Sequence, residues 1–564
     1  MKVVISTLNS QYIHSSLAPW CLLAGIKEYS KENIEAKVVE GTVNEKIETA
    51  AERIIKENPA LIGFSCYIWN ITQTIELINI IKEKLKNVVI VVGGPEVSYR
   101  ANDVLLKYEN IDYVLSGEGE KPFALLCDAI LRSDDVSFIS SLSYRKNGSV
   151  IEGEPYITRE DPPSPYGEEY FKAVNGRISY IETSRGCPFS CAFCLSGMCG
   201  TMRSFNLEEA KENIIKVANS GTKTVKFVDR TFNADKKRAK EIVSFIIEEY
   251  GRKLPSDVCF HFEIAGDLLD EDFLNLLRKV PLGAVQLEIG LQSFNEKTLE
   301  AIHRKTNIKK LCDNIKALVE MGNIHIHIDL IAGLPYENLE SFKESFNKAF
   351  ELSANMLQFG FLKMLYGAEM REKIENFPCE FSDEPPYEVI STPYLSKEEL
   401  LKMHEAENAL DRIYNSGRFS KTVKYIMKTM NFTAYEFFAF LGEKLSKNSE
   451  KVKDLDSFTD FFFETFKNLC DEKILRDVMI LDRITTNSSG IIPKSLRVFD
   501  NDLKKIKILL DENEETRQKK GIKRCIAILY SLEKIVYVDY INQNPVTKSY
   551  SVNELPISFL KKDT

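Results

Sequence analysis

Three cysteines near the middle of the chain are spaced closely enough to hold a metal centre. They are Cys187, Cys191 and Cys194, in the segment CPFSCAFC. Three thiolates are one fewer than an ordinary [4Fe–4S] cluster takes, so one iron would be left open to another ligand. Zinc is the alternative, because it also binds clustered cysteines, and Cys199 could supply its fourth ligand. The spacing predicts a metal centre and favours the iron–sulfur cluster.

The strands that would surround this loop alternate apolar and polar side chains. The strands span residues 260–264, 285–290 and 324–330, and their polar residues are His261, Glu263, Gln286, Glu288, His325, His327 and Asp329. In a parallel α/β barrel the outer face packs under helices, so the polar sets should point inward. A closed barrel fills its interior with bulky branched side chains. The pattern therefore predicts an open barrel with a cavity for ligands, and hydrogen bonding rather than acid–base work for its histidines.

The first 130 residues show a different arrangement, in which short β-branched runs alternate with amphipathic helical stretches. The runs are 2–8, 36–40, 60–65 and 88–92, and the helical stretches lie near 18–29, 44–57 and 71–85. This order is typical of a doubly wound parallel sheet of the flavodoxin or Rossmann type. Such sheets bind ligands beyond the carboxyl ends of their strands. Small or polar residues follow those ends here, at 7–14, 65–72 and 93–94.

Composition excludes several classes of function. The 564 residues include 83 acidic and 74 basic ones, so the charge balance does not suggest a nucleic-acid or membrane binder. No apolar run approaches the length of a membrane span, and the first ten residues lack a signal-peptide pattern. Twelve cysteines in this length are too few for a disulfide scaffold. We expect a cytoplasmic protein whose cysteines are reduced.

Breaks in pattern divide the chain into three domains and a linker. A proline-rich run at 161–167 and a change to helical patterning after the prolines at 385 and 386 mark the main transitions. We predict a sheet domain at 1–135, a linker at 136–172, an open (β/α)6-type partial barrel at 173–378 and a mostly helical domain with a terminal hairpin at 379–564.

The cysteine loop, with Phe193 before its last cysteine, is similar to the cluster loop of radical S-adenosylmethionine (SAM) enzymes. The resemblance implies that SAM chelates the open iron and that the reduced cluster cleaves it to a 5′-deoxyadenosyl radical. By position, the residues implied to bind SAM are Phe193, Asp229, Glu263, Gln292, Arg304 and Asp329. Simpler interpretations are a loop ion pair of Asp229 with Arg230 and a surface salt bridge of Arg304, which would contribute little.

The N-terminal phrases LIGFS, VVGGP and GEGE resemble the cobalamin (B12)-binding domain that precedes many radical SAM cores, including those of class B methyltransferases. The resemblance implies cobalamin contacts from Ser10, Ser65, Thr72, Gly93, Gly94 and Glu118. The loop after the first strand lacks the DxHxxG pattern that supplies an axial histidine, and His14 lies four residues too late for it. We expect cobalamin without a histidine ligand; an empty flavodoxin-like crevice is the alternative.

Together these resemblances imply an enzyme that uses a [4Fe–4S] cluster, SAM and cobalamin to methylate an unactivated carbon of its substrate. An external one-electron reductant of the flavodoxin or ferredoxin type would be its partner. A radical rearrangement or cyclisation without methyl transfer is an alternative that keeps the same cofactors. A regulatory protein that binds cobalamin or SAM, with zinc at the cysteines, is the alternative without catalysis.

Aromatic residues are concentrated in the C-terminal third. They are Phe437, Phe438, Phe440, Phe461, Phe462, Phe463 and Phe466, within two runs predicted to be helical. Phenylalanines at helical spacing form a core more often than a binding surface, so we predict a core. Near the end, a β-branched run at 535–540 and the Asn544-Pro545 turn predict a hairpin.

Overall fold

The N-terminal residues fold around a seven-stranded sheet in the computed structural model, which describes residues 1–199, 201–497, 502–513 and 515–561, without the side chains of 198, 199, 451, 560 and 561. The strands are β1 (Lys2–Asn9), β2 (Glu35–Thr42), β3 (Leu61–Ser65), β4 (Val89–Gly93), β5 (Tyr113–Leu115), β6 (Leu142–Lys146) and β7 (Ser149–Ile151). Their spatial order is β2-β1-β3-β4-β5-β6-β7, and β1 to β5 are parallel. This is the flavodoxin order, which confirms the predicted doubly wound sheet.

Helices cover the parallel strands on both faces. They are α1 (Ala18–Tyr29), α2 (Ile47–Lys56), α3 (Ile71–Lys84), α4 (Pro95–Ser98), α5 (Ala101–Lys107) and α6 (Glu120–Arg132). On one face Ile62 and Phe64 of β3 are buried with Leu77 and Ile81 of α3. On the other face Phe123 of α6 lies directly over Gly63. All five residues of β3 are buried, as a parallel strand between two helical layers requires.

The segment predicted to be a linker, 136–172, is partly structured. It contains β6 and β7, which extend the sheet by two antiparallel strands. The turn between them is Asn147-Gly148, and both residues have positive φ, 52° and 80°. Asn-Gly is the strongest short hairpin signal, because a type I′ turn needs positive φ at both central positions. The strands of the N-terminal sheet therefore extend to Ile151.

The following region alternates strands and helices. Its strands are β8 (Ser179–Ile181), β9 (Ser184–Gly186), β10 (Met202–Ser204), β11 (Thr224–Phe227), β12 (Cys259–Ile264), β13 (Val285–Gln292), β14 (His325–Ala332) and β15 (Met356–Phe361). Its helices are α7 (Glu168–Val174), α8 (Leu207–Ala218), α9 (Lys236–Glu249), α10 (Glu271–Leu277), α11 (Glu296–Ala301), α12 (Ile308–Met321) and α13 (Leu339–Glu351). Six of these strands, all but β9 and β10, follow the predicted (β/α)6 order along the chain, and β8, β11 and β12 form a parallel ladder.

Short polar side chains begin the helices of this region. Asn206 caps α8 by accepting a hydrogen bond from the backbone N–H of Glu209 at 3.0 Å. Asp235, Asp270 and Asn338 cap α9, α10 and α13 in the same way. Such caps stabilise a helix by about 1 kcal/mol each, because they satisfy a backbone N–H that has no partner within the helix.

Residue contacts divide the chain into two units. The first contains residues 1–288, 299–306 and 361–393, and the second contains 289–298, 307–360 and 394–564. The boundary predicted at 378 falls inside the last segment of the first unit. The domain boundaries at 135, 172 and 378 stay predictions.

The last segment of the first unit, 361–393, contains α14 (Glu369–Glu372), β16 (Glu380–Phe381) and β17 (Val389–Ser391). The hydroxyl of Tyr387 donates to the carboxylate of Glu96, which also pairs with Arg100. Glu96 and Tyr387 are 5% and 1% exposed. This buried contact joins the segment to the N-terminal sheet domain.

The remainder of the second unit is mostly helical. Its elements are α15 (Lys397–Leu410), α16 (Ser420–Met430), α17 (Ala434–Ser446), α18 (Leu455–Phe466), α19 (Glu472–Thr486), α20 (Asp502–Glu512), β18 (Arg524–Leu529), β19 (Lys534–Asp539) and β20 (Asn553–Pro556). Five of the seven phenylalanines are buried, at 437, 438, 462, 463 and 466, which confirms a core. Strand β19 pairs antiparallel with both β18 and β20, so the predicted hairpin belongs to a three-stranded sheet.

Candidate functional site

The three cysteines lie in a loop that a short ladder closes. Strand β9 ends at Gly186, next to Cys187, and pairs antiparallel with β10 on the far side of the loop. All three cysteines are free thiols, and Cys187 is the most buried, at 8% exposure. Midway along the loop, the backbone N–H of Ala192 donates to the carbonyl of Ile302 and the carbonyl of Ala192 accepts from Met370. Segments distant in sequence therefore hold the loop between the cysteines.

The distances between the cysteine sulfurs bear on the choice between zinc and an iron–sulfur cluster. Ligands of one tetrahedral zinc ion lie about 3.8 Å apart, given Zn–S bonds of about 2.3 Å. Within the described residues, the sulfurs of Cys187, Cys191 and Cys194 do not all lie within 4.8 Å of one another. A cluster with a separate iron for each thiolate fits this wider spacing. The side chain of Cys199, the fourth zinc ligand in the alternative, lies outside the described residues.

Two side chains reach the cysteine sulfurs. The hydroxyl of Thr231 lies 3.5 Å from Sγ of Cys187, and Nη1 of Arg304 lies 3.8 Å from Sγ of Cys191. Burial raises the pKa of the Cys191 thiol, and the Arg304 guanidinium opposes that rise. Hydrogen bonds to cluster sulfurs are one of the means by which a protein sets the cluster's reduction potential. Arg304 is therefore part of the site, where it contacts a cysteine sulfur. Phe193 lies in the same loop and is half-buried.

Asp229 lies beneath this loop and is 1% exposed. Its carboxylate accepts hydrogen bonds from the backbone and hydroxyl of Thr183, at 2.9 and 2.7 Å, and from the hydroxyl of Ser184 at 2.6 Å. Burial raises the pKa of Asp229 to about 6 in spite of these bonds. Its neighbour Arg230 is exposed. Asp229 therefore holds the base of the cysteine loop, a role that sequence reasoning did not assign to it.

The barrel strands of the first unit carry the polar face that the sequence predicts. On β12, Phe260 and Phe262 are fully buried, whereas Glu263 is partly exposed. His261 is 4% exposed and its Nε2 lies 2.9 Å from Oε2 of Glu288. Its Nδ1 has no hydrogen-bond partner among the described residues. The carbonyl of Glu263 accepts from Phe232, so this strand also positions the loop that contains Asp229.

In the second unit, Gln292 ends β13 with a φ of 72° and is 8% exposed. Its Oε1 is buried without a hydrogen-bond partner among the described residues. A buried amide oxygen without a partner is costly, so this atom fits a ligand's hydroxyl group, such as those of the SAM ribose. On β14, Oδ1 of Asp329 lies 3.0 Å from Nε2 of His327. Of these two predicted SAM residues, Gln292 is buried at the end of β13 and Asp329 is partly exposed within β14.

A further buried carboxyl in the second unit was not singled out by the sequence. Glu337 follows the Gly-Leu-Pro turn at 333–335 and is fully buried. It accepts hydrogen bonds from Ser293 at 2.6 Å and Ser345 at 3.0 Å, and burial raises its pKa to about 7. The turn itself is held by Thr298, whose hydroxyl donates to the carbonyl of Pro335. Glu337 therefore fixes the turn to the end of β13.

The predicted cobalamin residues surround the carboxyl end of the N-terminal sheet. Ser10 follows β1 and accepts from Asn44 through its carbonyl at 2.8 Å, Ser65 ends β3 and is buried, and Thr72 is exposed in the first turn of α3. Gly93 ends β4, and Gly94 follows with a φ of 104°. The strand order reverses between β1 and β3, and ligands of such sheets bind at that point.

Aromatic side chains are exposed at this same edge, and sequence reasoning missed them. Tyr12 after β1 is 76% exposed and Trp69 after β3 is 48% exposed. The rings of Tyr67 and Trp69 stack with centroids 4.4 Å apart. Asn70, fully buried, joins the two strand ends by donating to the carbonyls of Leu8 and Ser65. Flat rings on a rigid edge suit a planar macrocycle, so the residues present fit cobalamin.

Two other residues of this domain have partners of their own. Nδ1 of His14 lies 2.8 Å from the hydroxyl of Tyr180, consistent with a loop histidine. Glu118 differs from expectation, because both of its carboxylate oxygens bind arginines, Arg185 and Arg203. Burial raises the pKa of Glu118, but the two guanidiniums outweigh it and leave the pKa below its ordinary value. The structure thus gives the Glu118 carboxylate ionic partners in place of an open side toward a ligand.

A side chain at Gly94 should disturb this edge of the sheet. A Cβ added there would lie 2.6 Å from the carbonyl oxygen of Cys66, and the φ of 104° already disfavours a side chain. Gly94→Ala should lower the free energy of unfolding by about 2 kcal/mol and reduce cobalamin retention. Thermal unfolding and the corrin absorbance left after desalting measure both effects. Gly148→Ala is the matched control, since its φ is 80° but nothing lies within 4 Å; equal effects of the two substitutions would contradict the steric argument.

Comparison with known proteins agrees with this geometry. Residues 5–127 match the model of the B12 binding domain, and residues 181–349 match that of the radical SAM superfamily. The chain therefore carries a B12 binding domain followed by a radical SAM domain. Residues 375–553 match a family described as a protein of unknown function, DUF4080. The match at 5–127 covers the sheet edge described above, and the match at 181–349 covers the cysteine loop.

The chain is similar to three curated enzymes. It is 27% identical over 323 residues to a 2-(S-pantetheinyl)-carbapenam-3-carboxylate methyltransferase of Streptantibioticus cattleyicolor, covering 52% of this chain and 45% of the relative. It is 28% identical to the cobalamin-dependent radical SAM methyltransferase TokK of Streptomyces tokunonensis, covering 54% and 46%. It is 26% identical to an anaerobic magnesium-protoporphyrin IX monomethyl ester cyclase of Rubrivivax gelatinosus, covering 54% and 56%. The chain spans about half the length of each.

Solved structures share its fold. The radical SAM methyltransferase TsrM of Kitasatospora setae, with cobalamin and a [4Fe–4S] cluster bound, aligns with a TM-score of 0.55 at 19% identity, covering 69% of this chain and 79% of that one. The cobalamin-dependent SAM radical enzyme OxsB, with aqua-cobalamin and SAM bound, aligns with a TM-score of 0.59 at 14% identity, covering 92% and 82%. The α/β fold class predicted from the sequence is therefore confirmed. No helix in the described part of the chain is long and apolar enough to cross a membrane.

Proposed function

We propose that this protein is a cobalamin-dependent radical SAM enzyme that transfers a methyl group to an unactivated carbon of its substrate. The observation that carries the proposal is the cysteine loop: three free thiols in the segment CPFSCAFC, in the same unit as a sheet that is open at its ligand edge. An iron–sulfur cluster and a corrin are the cofactors that suit these two places. An external one-electron reductant is part of the proposal.

Different residues of the chain would bind the cluster and SAM. Cys187, Cys191 and Cys194 would hold the cluster, and the buried amide oxygen of Gln292 would accept a hydrogen bond from a SAM hydroxyl. Glu263 and Asp329 are also proposed to bind SAM, by their position on the polar strand faces. The cofactors, when bound, supply the radical and the methyl group, and the protein's share is to place them and to exclude water.

A second candidate is a radical rearrangement or cyclisation that uses the same cofactors without methyl transfer. The likeness to a magnesium-protoporphyrin ester cyclase, as extensive as the likeness to the methyltransferases, supports it. The acids proposed to bind SAM, Glu263 and Asp329, are each partly exposed and would serve either chemistry. The two candidates differ in the products they make from SAM.

Anaerobic reconstitution tests the proposal. The full chain is loaded with iron, sulfide and hydroxocobalamin, reduced, and supplied with SAM and a cell extract as the source of substrate. A methyltransferase should release S-adenosylhomocysteine together with 5′-deoxyadenosine, whereas a rearrangement enzyme should release only the latter. A protein that binds one zinc ion per chain and shows no iron–sulfur absorbance would contradict both and favour a regulatory protein.

A further inference from the structure

We propose that two glutamates of the N-terminal sheet domain, Glu118 and Glu120, position the cysteine loop of the barrel and so link cluster geometry to the cobalamin-binding domain. This inference rests on the proposed function, because it assigns the loop to a cluster. Glu118 and Glu120 are therefore positioning residues. This role of Glu118 differs from the cobalamin contact that its sequence position implies.

Two arginines lie on the ladder that closes the cysteine loop. Strand β9 precedes Cys187, and β10 follows the loop. In their antiparallel register Arg185 lies directly opposite Arg203. Like charges placed directly opposite each other destabilise a strand pair. Both guanidiniums also lie over the ring of Phe205, with distances of 5.9 and 5.6 Å to its centroid. Without compensating anions this ladder would tend to open.

Three carboxylates surround the arginine pair. Arg185 binds Glu182 through two nitrogens, at 2.9 and 2.7 Å, Glu118 at 2.6 Å and Glu120 at 2.9 Å. Arg203 binds both oxygens of Glu118, at 3.1 and 2.9 Å. Glu118 is thus the carboxylate shared by both arginines, and it joins the two strands of the ladder. Together the five side chains carry one net negative charge.

Burial makes these contacts strong. The side chains of Glu118 and Glu120 are 11% and 9% exposed, and those of Arg185 and Arg203 are 22% and 18% exposed. Ion pairs in water contribute little, but removing one partner of a largely buried pair leaves an uncompensated charge and is strongly destabilising. Two of the three carboxylates come from the sheet domain, in the turn between β5 and α6. The ladder therefore closes only against that domain.

The backbone of this turn is itself fixed. Gly117 has a φ of 84°, and a Cβ there would lie 2.3 Å from the carbonyl oxygen of Tyr156. That same carbonyl accepts from the N–H of Glu118 at 2.8 Å. On the opposite side, Gly186 has a φ of 93° and a Cβ there would lie 2.1 Å from the carbonyl of Thr201. Rigid backbone on both sides lets the ion pairs transmit the position of the sheet to Cys187, two residues beyond Arg185.

The test compares Glu118→Gln and Glu120→Gln with Glu57→Gln in the full chain. Glu57 pairs with Lys37 in the same domain, but Lys37 is 60% exposed, so its loss should change little. We expect both test variants to show faster backbone hydrogen exchange in β9 and β10 without cofactors. After reconstitution they should show an altered electron paramagnetic resonance spectrum of the reduced cluster and about tenfold weaker SAM binding. Cobalamin retention should match the control.

The outcomes separate the two hypotheses. If the wild-type chain forms no cluster, the proposed function fails, while hydrogen exchange in β9 and β10 still decides whether the glutamates close the ladder. If the exchange, the spectrum and SAM binding of both variants equal those of Glu57→Gln, the positioning role is wrong. Loss of cobalamin with an unchanged spectrum would instead make Glu118 a corrin contact. Should either glutamine variant fail to fold, Arg203→Lys, which keeps the charge but cannot bind both oxygens, should reproduce the faster exchange.

Discussion

Replacing Cys194 with alanine should abolish SAM cleavage and leave little iron bound after anaerobic reconstitution. Two thiolates cannot hold a cluster that is already one ligand short. Loss of a hydrogen-bonding partner around a metal ligand already lowers affinity or activity roughly 10- to 100-fold. Loss of the ligand itself should exceed about 100-fold. Cys187→Ala and Cys191→Ala should behave alike, and iron content and 5′-deoxyadenosine release measure the effect.

The control for these variants is Cys312→Ala. Cys312 is a half-buried free cysteine on α12, outside the predicted cluster loop. It should leave iron content and SAM cleavage at the wild-type level. A Cys194→Ala protein that retained its iron and its SAM cleavage would contradict the assignment of the cluster to this loop.

Asp229 should make the stability of the first unit depend on pH. Burial raises its pKa to about 6, with Glu182 adding to the rise and the hydrogen bonds from Thr183 and Ser184 opposing it. The guanidinium of Arg238, which donates to the carbonyl of Thr183, is the nearby cation. Because the folded pKa lies above the unfolded value, the carboxyl contributes stability below about pH 4 and loses it as the pH rises through 6. The loss between pH 4.5 and 7.5 is about 2 kcal/mol.

Asp229→Asn should remove this dependence, because the amide carries no charge at either pH. The difference in unfolding free energy between variant and wild type should shift in favour of the variant by about 2 kcal/mol from pH 4.5 to 7.5, as measured by urea unfolding. Asp229→Ala should destabilise by about 3 kcal/mol or more at pH 4.5, since Thr183 and Ser184 lose their buried acceptor. Asp235→Asn is the control: Asp235 is exposed and asparagine caps helices equally well. A pH-independent difference between Asp229→Asn and wild type would refute the ionisation argument.

Local patterns predicted most of the parallel sheet and the barrel strands, because burial on one or both faces imposes a strict period on the side chains. The helix Ala18–Tyr29 was predicted with its observed bounds. The hairpin of β6 and β7 was missed, although Asn147-Gly148 is a strong signal, since the flanking strands are short and half-exposed. Period alone does not reveal strands that are both short and half-exposed.

The candidate site was predictable where one residue type at fixed spacing defines it, as with the cysteines. Contacts between residues distant in sequence could not be read from the chain. Asp229 and Thr183 are 46 positions apart, and Glu118 and Arg203 are 85 apart. A carboxylate in a motif such as GEGE can face a ligand or an arginine, and only the fold decides between them. The same holds for Tyr12 and Trp69, whose exposure follows from the position of their loops at the sheet edge.

The contact between Glu96 and Tyr387 has a consequence for how the protein is made. The two residues are 291 positions apart, and both are buried in the first unit. At synthesis rates of about 5 to 20 residues per second, Tyr387 follows Glu96 out of the ribosome only after about 15 to 60 s. During that interval the nascent sheet domain holds a glutamate and an arginine whose tyrosine partner does not yet exist. The first unit therefore completes its folding late in translation, after most of the second unit's barrel segments have already emerged.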